Sequence, residues 1–435
     1  MFGYYLDLAM RSLKRHRMLT VLMVLALGLG IGATITTLTV LRLLSGDPLP
    51  QKSAQLFYPQ VDPNATDGYV AGQTKPPGIM PWPDAMNLLH AHRARYQAAM
   101  APVQARIVPQ RANQPPYFAD GVMTTADFFP MFDVPFQYGG GWAAADDDSR
   151  AAVAVIGSAL NQRLFGGENS VGRTLRIGDN DFRVVGVLKP WSPQPMFYSV
   201  AQAGRSYGDG TSIFLPLQTA RANLMSPSGN VECYDAITDI EHLETAPCEW
   251  LALWVQLDTP AAVADYKRFL DGYVHQQIAL GRFKRPDDSL LDLMGVLRDQ
   301  QVVPDDVRLQ AYVAFGFLLI CVVNTVGLLL AKCLRRSNEI GVRRALGASR
   351  RAVFAQFMVE AGIVGMAGGV LGLVFAELGL CAIRHQPAQY ASLAHLDVRM
   401  FVFTFVVALT ASLIAGLLPA WRACVLAPAP QLKAS

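Results

Sequence analysis

RRSNEIGVRRALGAS, residues Arg335 to Ser349, decides the reading of the chain, because it is strongly basic and lies between two long apolar runs. From Lys332 to Arg351 the bases Lys332, Arg335, Arg336, Arg343, Arg344, Arg350 and Arg351 stand against one acid, Glu339. Loops of that sign stay on the cytoplasmic side of a membrane, so every other segment is oriented from this one. Glu339 precedes Arg343 by four residues, the order that supports a helix, and Val342, Ala345 and Leu346 share its other face. Gly347 supplies a stop, and Ser349 can cap the next helix. Anchoring at lipid headgroups accounts for the charge but has no use for the apolar face. A short amphipathic helix in a cytoplasmic loop suits a groove on a soluble partner.

These residues also carry a resemblance. Residues 335–360 resemble the cytoplasmic coupling segment of the FtsX/MacB-like permeases of ABC systems. The family core E-I-G-[IV]-R-R-A-[LM]-G-A is met by Glu339 to Ala348, and the following Q-F-x-x-E by Gln356, Phe357 and Glu360. In that family the loop docks onto an ATPase. The resemblance implies that Glu339, Ile340, Gly341, Val342, Arg343, Arg344, Ala345, Leu346 and Gly347 couple this chain to a separate ABC ATPase subunit.

Composition agrees with a membrane protein that has a large water-soluble part: 435 residues, 52% hydrophobic and only 16% charged. A net charge of +3, concentrated beside the apolar runs, argues against nucleic acid as a partner. The six cysteines include no C-x-x-C, so neither a zinc ribbon nor a thioredoxin-type site is expected. There is no G-x-x-x-x-G-K-[ST], H-E-x-x-H or G-x-S-x-G. His90 and His92 do not share a helical face, and Asp146 to Asp148 reads as a solvated turn. The expectation is therefore a non-catalytic subunit with no metal or cofactor of its own and no fused ATPase, with ATP and Mg on the partner ATPase.

In chain order, residues 1–17 read as an amphipathic helix on the inner leaflet, with Phe2, Tyr5, Leu6, Ala9 and Leu13 opposite Asp7, Arg11, Lys14 and Arg15. Residues 18–44 contain an uncharged run long enough to cross a bilayer, longer than a signal-peptide core and without a cleavage site after it. Arg11, Lys14, Arg15 and Arg17 place its start in the cytoplasm. Gly28 and Gly32 form a G-x-x-x-G suited to close helix packing.

Residues 45–306 change to the alternating runs, Pro and Gly of a globular domain. Within it, AVAVIG reads as a buried strand and SALNQRLFGG as a helix capped by Ser158 and closed by Gly166 and Gly167. TLRIG with DFRVVGVL reads as a hairpin turning at Gly178 to Asn180. This order resembles the MacB-like periplasmic core domain, which implies a periplasmic location and an inserted subdomain over residues 127–217. Phe128, Phe129, Leu164 and Phe165 read as core. Cys233 and Cys248 lie in a polar loop, and in an oxidising compartment a disulfide between them is expected.

Residues 307–332 form a second span, 333–351 the coupling loop, 352–383 a third span, 384–399 a short periplasmic loop, 400–421 a fourth span and 422–435 a cytoplasmic tail marked by Arg422 and Lys433. Gly362, Gly365, Gly368 and Gly372 give the third span a bare stripe for another helix. Its two acids, Glu360 and Glu377, are functional candidates by virtue of lying in a span. Glu360 is placed near the cytoplasmic interface, where snorkelling keeps a charge cheap, and Glu377 near the outer surface. Pro419 reads as the end of the fourth helix, and PAWRA resembles the family's C-terminal signature.

The fold expected is an α-helical membrane domain of four transmembrane helices with a large α+β periplasmic domain between the first and second spans. Both termini are placed in the cytoplasm and the chain in the bacterial inner membrane, in contact with lipids. The resemblance implies an ABC permease subunit, paired with an identical or paralogous copy, that transmits ATPase movement to the periplasmic domain and drives efflux of a peptide, antibiotic or lipid-linked compound. A periplasmic adaptor and an outer-membrane channel are the expected route onward. The alternatives are an FtsX-like regulator of a cell-wall hydrolase and a lipoprotein-releasing permease.

Overall fold

The computed structural model describes residues 2–109, 114–199, 206–236, 241–387 and 390–425; Lys433 and most of the tail lie outside them. The chain divides into two compact units, residues 1–45 with 303–435 and residues 46–302.

In the first unit four helices are long and apolar enough to cross a bilayer among the described residues: Arg17–Ser45, Asp305–Arg335, Arg350–Arg384 and Val398–Val425, here spans 1 to 4. The helix Phe2–Arg15 precedes them, and a short coupling helix, Ser337–Ala345, separates spans 2 and 3. Helices form because hydrocarbon offers no partner for a free backbone group. At 1.5 Å per residue, span 3 reaches roughly 50 Å, more than the hydrocarbon thickness. Ser349 starts it by accepting from the Ala352 amide at 3.2 Å. Span 4 does not end at Pro419 but runs through it to Val425. The missing hydrogen bond is offset by packing, as is common in membrane helices.

Glycine sets the spacing of the spans. A Cβ on Gly32 would lie 2.6 Å from the Cβ of Phe375, and one on Gly372 would lie 2.8 Å from Ile31, so spans 1 and 3 meet nearly backbone to backbone. On the other side of span 3, a Cβ on Gly365 would strike Ser412, and one on Gly369 would lie 2.9 Å from Ala408 of span 4. The stripe therefore serves two neighbours. Thr34 ties span 1 to span 2 by donating to the Ala314 carbonyl at 3.2 Å. Thr36 reaches the Ala376 carbonyl of span 3 at 3.3 Å.

The second unit is a large mixed α/β domain. Its strands are β1 Leu56–Val61, β2 Met80–Pro81, β3 Gln97–Val108, β4 Tyr117–Thr124, β5 Phe136–Gly139, β6 Val153–Ile156, β7 Thr174–Ile177, β8 Asn180–Leu188, β9 Ile213–Pro216, β10 Glu232–Cys233, β11 Cys248–Gln256 and β12 Asp288–Asp292. The main order is β12-β1-β11-β3-β4-β9-β6-β8-β5, while β7 pairs with both β3 and β8. The pairing path β3-β4-β9-β6-β8-β7 thus returns to β3. Among the described residues only β4 with β9 and β6 with β8 are parallel. The ring draws β6 to β9 from residues 127–217 but needs β3 and β4 from outside them.

Trp250, Trp254, Phe128 and Phe214 are buried in this domain. The helix Ser158–Phe165 starts after Gly157 with no side-chain cap, contrary to the role expected of Ser158, and ends on Gly166 at φ 72°. Asp146 to Asp148 end the short helix Ala144–Asp148; Asp148 is exposed as expected, but Asp147 is not simply solvated. Asp147 accepts from the Ala126 amide at 2.7 Å and from Trp142 Nε1 at 2.8 Å. Burial pushes its carboxyl up to about 6.

The packing yields a paired expectation. Gly32→Ile should lower thermal stability in detergent by about 1–3 kcal/mol through overpacking. Gly362→Ala, whose Cβ would meet only Leu409 at 4.0 Å, should be tolerated. Equal melting shifts would contradict the close approach of spans 1 and 3.

Candidate functional site

Polar groups at the inner ends of the spans converge on Glu360. Its side chain and that of Lys332 are both 0% exposed, with Lys332 Nζ 3.0 Å from Glu360 Oε2. Arg336 Nη1 donates to Glu360 Oε1 at 2.9 Å and to Ser12 Oγ at 2.6 Å. Arg336 is the single residue between span 2 and the coupling helix, and it also pairs with Glu339 at 3.3 Å. Glu339 pairs with Arg343 at 2.9 Å, and Arg343 reaches Gln356 of span 3 at 3.3 Å. One cluster thus joins the N-terminal helix, span 2, the coupling helix and span 3. Burial would raise the Glu339 carboxyl, but the hydrogen bonds and charge of Arg336, with Arg343 and Arg15, hold it below its ordinary value.

The coupling helix has two sides. Ile340 is buried among Cys333, Val353, Phe357 and Ala420, which brings span 4 into the same packing, and Gly341 is buried beside it. Val342 is 47% and Leu346 82% exposed, and Ala345 and Gly347 are exposed with them. Arg343 and Arg344 are half-buried. In the sequence Lys332 and Arg336 read as charges of the basic loop, not as partners of Glu360, and neither Ser12 as a partner of Arg336 nor Gln356 as a partner of Arg343 is marked there. The available signal was a base near the end of one apolar run and an acid just inside the next. Glu360 is not a snorkelling residue: its carboxylate is enclosed by protein and neutralised there.

Glu377 differs. It is half exposed and accepts from Arg384 Nη2 at 2.6 Å, while Arg384 Nη1 donates to the Ala394 carbonyl at 2.8 Å. In the outer domain Cys233 and Cys248 face each other across β10 and β11 and are joined by a disulfide. Among the described residues no three His, Cys, Asp or Glu side chains are grouped to hold a metal ion.

The outer domain also buries Asp62, Asp84 and Glu249. Asp62 pairs with Arg285 at 3.0 Å and Asp84 with Arg282 at 2.8 Å. Among the described residues Glu249 has no cation and its side chain accepts only from Asn64 Nδ2, at 3.2 Å. Burial, reinforced by the negative charges of Asp62 and Glu232, pushes its carboxyl up to about 9.

Residues 20–271 match the family profile described as MacB-like periplasmic core domain, and residues 311–428 match FtsX-like permease C-terminal. The chain is similar to the pyoverdine export ATP-binding/permease protein PvdT of Pseudomonas entomophila, 29% identical over 340 residues, covering 77% of this chain and 45% of that protein. It is similar to the macrolide export ATP-binding/permease protein MacB of Azoarcus sp., 23% identical over 337 residues, covering 77% and 45%. The chain therefore spans less than half the length of these curated relatives. Among solved structures, the periplasmic region of MacB from Actinobacillus actinomycetemcomitans matches with TM-score 0.37 and 13% identity, covering 59% of this chain and 97% of that one.

Glu249 sets a pH dependence. Its folded value, about 9, lies above its ordinary value of 4.5, so between them the folded protein holds a proton that the unfolded chain releases. The contribution is complete below the lower value and is lost as pH rises toward the upper one. Glu249→Gln keeps the acceptor for Asn64 and removes the titration. Its melting temperature should exceed that of the wild type at pH 8.5 by more than at pH 6. A difference independent of pH would rule out a neutral buried Glu249.

Proposed function

This chain belongs to the MacB/FtsX-like family of ABC transporter permeases, and we propose that it is the membrane subunit that passes the movement of a partner ATPase to its outer domain, driving export of a periplasmic substrate. The observation that carries this reading is the two-sided coupling helix. Its apolar face, with Val342 and Leu346, is open to a groove on another protein. Its other face is tied through Arg336 and Glu360 to spans 2 and 3. A push on the open face is therefore felt inside the span bundle. ATP and Mg belong to the partner ATPase, and Glu339 to Gly347 form the contact.

Export is favoured over hydrolase regulation and lipoprotein release because the MacB-like core-domain match takes in span 1 and most of the outer domain. The similar proteins named above are described as exporters of pyoverdine and of macrolides. A peptide, antibiotic or lipid-linked compound is the class of cargo we assign, with an adaptor and an outer-membrane channel completing the route. The permease works as a pair of copies. Span 2 supports this with an exposed face of Leu309, Tyr312, Gly316, Ile320, Val323 and Gly327. Asn324 lies on that face, and its side chain has no hydrogen-bond partner among the described residues. An amide in hydrocarbon seeks a partner, and two copies related by a two-fold axis can supply each other.

Two experiments test this reading. Val342→Asp with Leu346→Asp should weaken binding of the ATPase that co-purifies with the tagged wild type on the order of thirtyfold, as loss of an interface hot spot does. The melting temperature should stay unchanged, and undiminished ATPase binding would remove the coupling role. Separately, Asn324→Leu should raise the dissociation constant of the permease pair about three- to tenfold, read by energy transfer between labelled copies in nanodiscs. No change would take span 2 out of the interface.

A further inference from the structure

The outer end of span 1 and the first turn of span 4 enclose a cleft. Leu38, Leu41, Arg42 and Ser45 recur at the spacing of one helical face, and Arg399, Met400 and Phe403 stand opposite; the space between them is about 420 Å³. That volume lies within the range of roughly 300–1,000 Å³ usual for small-ligand sites. The walls are apolar except for Arg42, Ser45 and Arg399, which lie within a turn or two of the span ends.

Charge at this mouth does not balance. Asp397 is the acid paired with Arg42, at a loose 3.7 Å, and its other oxygen accepts from the Met400 amide at 2.6 Å as the cap of span 4. Arg399 has no carboxylate partner among the described residues. Two guanidinium groups from different helices thus line the rim of an apolar slot that holds one carboxylate, and only Arg42 pairs with it. Simple snorkelling accounts for a single arginine at an interface. It does not account for two that line one cleft.

We propose that this cleft holds an anionic phospholipid of the outer leaflet, with its phosphate between Arg42 and Arg399 and an acyl chain along Leu38, Leu41, Met400 and Phe403. A free anion would satisfy the arginines but leave the apolar walls uncovered, and a neutral hydrocarbon would do the reverse. An amphiphile of negative head charge matches both. The assignment is independent of what the protein exports.

The test uses the full-length chain in nanodiscs containing phosphatidylglycerol or phosphatidylcholine probes with a photoreactive acyl chain, with labelled peptides mapped after irradiation. Phosphatidylglycerol should label residues 38–45 and 399–403 in preference to phosphatidylcholine. Arg399→Gln should reduce that labelling about fivefold, one interfacial charge's worth. Arg399→Lys should retain most of it, and adding Arg42→Gln to Arg399→Gln should abolish the preference. Labelling of the exposed face of span 2 should stay constant in all variants, which separates loss of the site from loss of the fold. Equal labelling by the two lipids, or no effect of Arg399→Gln, would overturn the proposal. So would absence of label from the cleft, which would mean that a protein segment fills it.

Discussion

A carboxylate sealed between two cations at the inner ends of the spans is the constraint on which the rest depends. Glu360 is 0% exposed, and without Lys332 and Arg336 it would be a bare charge in an apolar helix. Desolvating such a group costs several kcal/mol, so a buried pair adds little net stability but is costly to break from one side, about 3–5 kcal/mol. Its effect is on geometry more than on total stability. Span 3 cannot rotate or slide relative to span 2 without separating Glu360 from Lys332. The coupling helix cannot lift away without drawing Arg336 from Glu360. The N-terminal helix is held to the same point through Ser12.

Glycine packing gives this cluster something stiff to act on. Where Gly32 meets Phe375 and Gly372 meets Ile31, the helices are already at the limit of approach, and packed interiors do not compress. Gly365, Gly369 and Gly416 do the same between spans 3 and 4. Gly30 sits against Cys321 and Leu318 of span 2. A displacement at the inner ends therefore moves helices as rods. The chain enters the outer domain at residues 45–46 and leaves it at 302–303, from the ends of spans 1 and 2. Two covalent joins are thus available to pass that displacement on.

The parts legible in the sequence are those whose signal is local. The spans show as long apolar runs, and the coupling helix as a charge and apolar pattern within a dozen residues. The hairpin of β7 and β8 shows in its turn. What escaped depends on pairings that sequence distance hides. The depth of Glu360 follows from meeting Lys332, 28 residues away. Asp147 belongs to a run of three acids that reads as solvated, yet Trp142 and the Ala126 amide close over it. The ring of strands depends on β3 meeting both β4 and β7, which no single stretch announces. Pro419 would break a helix in water, but span 4 continues through it, as helices in hydrocarbon tolerate. In the sequence only compartment and position pair Cys233 with Cys248, whereas in the fold the register of β10 on β11 sets them opposite one another.

The two ends of the span bundle are held by different physics. At the inner end the charges are buried, so separating them exposes uncompensated ions to low dielectric. At the outer end Glu377 with Arg384 and Arg42 with Asp397 are partly solvated, with Glu377 51% and Asp397 52% exposed. Exposed pairs of that kind are worth about 0–1 kcal/mol and re-form with water or other partners at little cost. The inner end is thus a fixed joint and the outer end a loose one. Opening the outer end of the bundle therefore costs less than opening the inner one.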